Sequence, residues 1–134
     1  MRRIAAAVGI LLIAGCASSP DSEGINVYAE AGLANATAFE LWMPDGVLVT
    51  VTGDDEVAHL AAPLDAELPM RMAGDCADGI GLVFYAGPRA IELTYCGTDR
   101  TLGGDGINGV HVPVPDEFTD IMTGWIARAV PPAP

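Results

Sequence analysis

The chain has 134 residues, 18 of them acidic and six basic, giving a formal net charge of −12 and a sequence pI near 4.1. Such a balance repels nucleic acid and anionic lipid headgroups and attracts cationic partners. All six basic residues are arginine, so a lysine base or Schiff base is excluded.

The first element is an N-terminal export segment. Met1-Arg2-Arg3 supplies positive charge, and Ile4 to Ala14 is an apolar run. Eleven helical residues reach only about 16 Å, against a hydrocarbon core of about 30 Å, so the run suits a signal peptide rather than a membrane span. It closes on Ile13-Ala14-Gly15-Cys16. These residues together resemble the signal peptide and lipobox of a bacterial lipoprotein. The resemblance implies cleavage before Cys16, a lipid thioether on its sulfur, and, because Ala17 rather than Asp follows, placement in the outer membrane facing the periplasm. More than one acyl chain on Cys16 would make that membrane anchor stable. The mature chain would keep four arginines against 18 acids, a formal net charge of −14 over residues 16–134.

Residues 16–24, rich in Ser, Pro and acids, read as a lipidated flexible tether. One globular domain is expected over 25–130, with 131–134 a Pro-rich tail. Ile25 to Ala29 reads as a first strand. Phe39 to Met43 and Val47 to Thr52 flank Pro44-Asp45-Gly46 and read as a hairpin. Glu56 to Ala61 and Glu67 to Met72 read as further strands, kept short by Pro63 and Pro69. Ile80 to Ala86 and Ala90 to Cys96 are the clearest strand pair. With Gly87 opposite Ala90, Leu82, Phe84, Ile91, Leu93 and Tyr95 share one face, and Val83, Tyr85, Glu92, Thr94 and Cys96 the other. Gly97 to Gly109 reads as a Gly/Asp-rich loop and Val110 to Val112 as a short strand. The last element is a helix that Asp116 can cap. Its stripe of Phe118, Ile121, Met122, Trp125, Ile126 and Ala129 recurs at helical spacing, opposite Glu117, Asp120, Gly124 and Arg128. The stripe is expected to pack on the domain's own sheet and to bury Trp125.

With Cys16 taken by lipid, Cys76 and Cys96 remain. In an oxidising compartment such a pair reads as a structural disulfide. Catalytic chemistry is poorly supplied. The three serines, Ser18, Ser19 and Ser22, all fall in the tether. His59 and His111 are the only histidines, and each is expected on a strand rather than on a metal. Asp105 and Asn108 in the Gly/Asp loop lack the spacing of a calcium loop. No cofactor, metal or catalytic residue is therefore expected.

The expected fold is α+β: a small antiparallel sheet of about five to seven strands, curved or partly barrel-like, with one C-terminal amphipathic helix. The expected function is non-enzymatic, a binding or structural module of the cell envelope acting on a protein partner. Two alternatives stand beside it: an inhibitor of a cationic envelope-degrading enzyme of lysozyme type, and a small hydrolase using two carboxylates. A deep cleft holding two acids would favour the hydrolase. An open sheet face with an exposed aromatic patch would favour binding.

Overall fold

A computed structural model describes residues 24–46, 48–71, 76 and 79–129. Residues 1–23, with Cys16 and its lipobox, lie outside the described residues, as do most of the tether and the Pro-rich tail. The fold is α+β, with two antiparallel sheets and a C-terminal helix.

Strand β1, Gly24–Asn26, is short because Asn26 turns the chain into a helix. Its side chain accepts the Ala29 N–H at 2.9 Å and so caps α1, Val27–Ala31. Gly32, at φ +76°, ends that helix after five residues. The strand expected over Ile25 to Ala29 is thus half helix, in a stretch too short to display a helical period. Strands β2, Ala38–Trp42, and β3, Leu48–Val51, form the expected hairpin across Pro44-Asp45-Gly46.

The strand expected over Glu56 to Ala61 is instead helix α2, Asp54–Ala61. Asp54, Asp55 and Glu56 crowd its first turn, where the N-terminal dipole favours negative charge. Val57, Leu60, Ala61 and Leu64 are buried at i, i+3, i+4 and i+7, a stripe that runs on into a 3₁₀ turn at Ala62–Leu64. Strand β4, Glu67–Pro69, pairs with β1 and stops at its proline, short of the expected Met72.

Strands β5, Ile80–Ala86, and β6, Arg89–Cys96, are the longest pair. Ala86 lies opposite Arg89, so the two-residue turn is Gly87-Pro88 rather than Pro88-Arg89. Gly87 at φ +62° suits the first central position of a type II′ turn, and proline suits the second. The register differs by two residues from the expected one, which leaves every side chain on its expected face. The segment expected as a loop holds β7, Thr101–Gly103, and a 3₁₀ turn at Asp105–Ile107. Then come β8, His111–Pro113, and α3, Asp116–Ala129. Asp116 is the first helical residue rather than a cap residue, and the Thr119 N–H bonds the Pro115 carbonyl at 3.2 Å.

The main sheet has the order β3-β2-β5-β6-β7-β8. It is open, ending at β3 and β8, so it does not close into a barrel. One bridge, from the Arg71 N–H to the His111 carbonyl at 2.7 Å, joins the chain beyond β4 to β8. The inner face of the sheet contributes Phe39, Leu41, Leu82, Phe84, Ile91, Leu93, Tyr95, Leu102 and Val112, all buried. Helix α3 covers this face. Phe118 packs against Tyr95 with ring centroids 5.8 Å apart, and Trp125 meets Phe39 edge-on at 5.6 Å. Phe118, Met122 and Ala129 are buried, whereas Ile121, Trp125 and Ile126 are only partly so. Trp125 is therefore a half-buried margin of the core rather than its centre, with Arg128 lying over its ring at 4.3 Å.

Candidate functional site

Among the described residues the other face of the sheet carries no helix, and its side chains form a regular grid set by the strand register. One row runs Ala38, Tyr85, Ala90. The next runs Thr50, Glu40, Val83, Glu92, and the third runs Leu48, Trp42, Gly81, Thr94, Gly103, His111. In the last row glycines alternate with larger side chains. A Cβ on Gly81 would stand 3.2 Å from the Trp42 Cβ, and one on Gly103 would strike the His111 ring. The small residues on β5 and β6 leave a groove of about 490 Å³, floored by Gly81, Val83 and Ala90 and bounded by Trp42 and Tyr85 on one side and by Glu92, Thr94 and Asp105 on the other.

Trp42 and Leu48, cross-strand partners at the hairpin end, are 47% and 43% exposed. Large apolar side chains with that much water contact, adjacent to each other and to a groove, mark a surface that gains by being covered. Their polar neighbour is ordered. Glu40 Oε1 accepts hydrogen bonds from the Tyr85 hydroxyl at 2.7 Å and from the Trp42 indole N–H at 3.2 Å. One carboxylate thus fixes two aromatic rings. The same contact raises the pKa of Tyr85, first through the hydrogen bond to Glu40, then through partial desolvation and the negative charges of Glu40 and Glu92.

At one end the groove meets the disulfide. Cys76 and Cys96 are bridged, with Cα atoms 5.9 Å apart, as expected of the one remaining pair of cysteines. Thr94 lines both the groove and a second depression of about 240 Å³ that contains Arg71, both cysteines, Asp99 and His111.

The two histidines are not brought together. His59 is exposed on α2, not on a strand, and His111 is half-buried on β8. Asp105 and Asn108 sit at the two ends of one 3₁₀ turn rather than in an open loop. Among the described residues no group of three or more His, Cys, Asp or Glu is placed to hold a metal ion. Also among these residues, no helix is long and apolar enough to cross a membrane.

Glu40, Trp42, Tyr85 and Glu92 were not singled out as site residues by the sequence, but the signal was there. Glu40 and Trp42 alternate with Phe39, Leu41 and Met43, so a tryptophan stands on the polar parity of a strand, where its ring has no core to enter. No protein-family model matches this chain, and no curated protein and no solved structure is significantly similar to it.

Proposed function

We propose that this chain is an exported, lipid-anchored envelope lipoprotein, and that its domain is a non-enzymatic binding module acting through the helix-free face of its main sheet. The observation that carries the binding role is the exposed Trp42–Leu48 pair beside an open groove. The face is open rather than a closed cleft, which favours docking over the exclusion of water that hydrolysis needs. The anchor and the envelope location rest on the residues Arg2-Arg3, Ile4 to Ala14 and Ile13-Ala14-Gly15-Cys16.

One preparation tests both halves. Intact-mass analysis of full-length protein from membrane fractions should show a chain beginning at Cys16 and carrying acyl mass, and Cys16→Ser should leave unlipidated precursor. A mature wild-type protein without acyl mass overturns the anchor. In the same cells, a photo-crosslinking residue in place of Leu48 should give a discrete adduct, while one in place of the exposed Ala58 on α2 should not. Adducts from neither position, or equally from both, overturn the binding face.

A further inference from the structure

We infer that the groove between Trp42 and Glu92 receives an arginine guanidinium from a cationic protein partner; this rests on the binding-face reading above and names the chemistry of the occupant. Hydrogen-bond donors and acceptors around the groove select the occupant. The two aromatic donors bordering the groove, the Trp42 indole N–H and the Tyr85 hydroxyl, are both spent on Glu40. Apart from the Thr94 hydroxyl, the polar side chains left along the walls are carboxylates, which only accept. Each sugar hydroxyl offers one donor and two acceptor sites, and of the side chains left along the walls only the Thr94 hydroxyl could donate to those acceptors. A guanidinium offers five donors and no acceptor, and its planar face stacks on indole.

Placement agrees with chemistry. Glu40 and Glu92 face each other across Val83 in one row of the sheet, on strands two spacings apart, so their backbones stand about 10 Å from each other. A flat cation on Val83 and Gly81 would lie between two carboxylates and beside the exposed indole. Glu92 and Asp105 make no ion pair among the described residues, and no arginine lines the groove. Arg89, at the hairpin end, donates instead to the Ala31 carbonyl at 3.3 Å. The chain-wide charge of −12 adds long-range attraction for the same kind of partner.

The test titrates the full-length protein with an oligo-arginine peptide, an oligo-lysine peptide of equal length and a neutral N-acetylglucosamine oligosaccharide, following the indole N–H resonances of Trp42 and Trp125 by NMR and the affinity of wild type and each variant by titration calorimetry. Oligo-arginine should shift Trp42 and leave Trp125 in place, and oligo-lysine should bind several-fold more weakly. Trp42→Ala should weaken oligo-arginine about 3- to 30-fold, the range of a cation–π contact, and erase the preference over oligo-lysine. Trp42→Phe should recover part of both, and Glu92→Gln should weaken oligo-arginine while leaving the preference. Unchanged oligo-arginine affinity in Trp42→Ala reduces the binding to nonspecific charge and overturns the inference. So does a Trp42 shift produced by the oligosaccharide alone. If oligo-arginine leaves Trp42 unmoved while crosslinking from position 48 still gives its adduct, the face reading stands and the guanidinium assignment falls.

Discussion

Glu40 sits where a strand residue of either sign would be tolerated by water, yet one oxygen of its carboxylate holds a phenol and an indole at once. A charged acceptor strengthens both bonds over neutral ones. The cost falls on Tyr85 ionisation, since a phenolate would stand against the carboxylate it now donates to. The folded protein therefore holds the Tyr85 proton more tightly than the unfolded chain does. The linked stability is fully present below the ordinary tyrosine value near 10 and is lost as pH rises through the raised folded value. Phenolate absorbance, with Tyr85→Phe as the subtraction, should place this tyrosine above the ordinary range. Glu40→Gln should bring it down most, and Glu92→Gln less. A Tyr85 titration untouched by Glu40→Gln would remove the carboxylate as the cause. None of these roles could be read from single residues. Glu, Trp and Tyr become a group only once the register aligns β2, β5 and β6.

Strand faces were legible in the sequence and pairings less so, for a geometric reason. Alternation fixes parity, and parity survives a shift of two residues, so Leu82, Phe84, Ile91, Leu93 and Tyr95 lie inward as the pattern requires even though the turn is Gly87-Pro88. Helix α2 was hidden by a different effect. Within Glu56 to Ala61, Val57, His59 and Ala61 mimic a strand, and the helical stripe emerges only when Leu64, beyond Pro63, is counted. The short pieces α1 and β7 offer too few residues for any period. Helix α3 is long enough to declare itself, yet a stripe fixes spacing and not depth, and the burial expected of Trp125 is only partial. Met122 is fully buried and Trp125 is at the margin. Met122→Ala should then cost about 2–5 kcal/mol, while Trp125→Ala, with part of its ring already in water, should cost roughly 1.5–3 kcal/mol, below the range for a fully buried tryptophan. Asp120→Ala, on the exposed side, should stay within about 0.5 kcal/mol of wild type. Denaturant titration of the three variants ranks them. A Trp125→Ala loss larger than that of Met122→Ala would mean the helix seats more deeply on Phe39 than the ring contact implies.

On the scale of the whole molecule, the two sides of the main sheet play different parts. Helix α3 and the inner face of the sheet make a core, while among the described residues the outer face carries no helix and meets the disulfide at Cys96. The bridge ties the chain ahead of β5 to the end of β6, so it encloses the central hairpin, with the cysteines 20 residues apart. Closing a loop of that length removes unfolded-state entropy worth about 3 kcal/mol. A domain of this size has about 5–15 kcal/mol of stability in all, so the bridge is a large share of it. The double variant Cys76→Ser with Cys96→Ser, which leaves neither partner of the bridge as a lone thiol, should lower the unfolding free energy by about 2–4 kcal/mol. Reduction of the wild type should lower the unfolding free energy by a similar amount. Since Gly79 packs so close to Thr94, at the groove's edge, that an added Cβ would stand 2.8 Å from its methyl and 3.6 Å from the Cys76 sulfur, the Trp42 indole resonance should also broaden or move in the double variant while Trp125 keeps its place. A double variant as stable as wild type would show that the β5–β6 ladder alone holds the hairpin. An unmoved Trp42 in a destabilised variant would confine the bridge to stability and leave the groove's shape to the register of β2, β5 and β6.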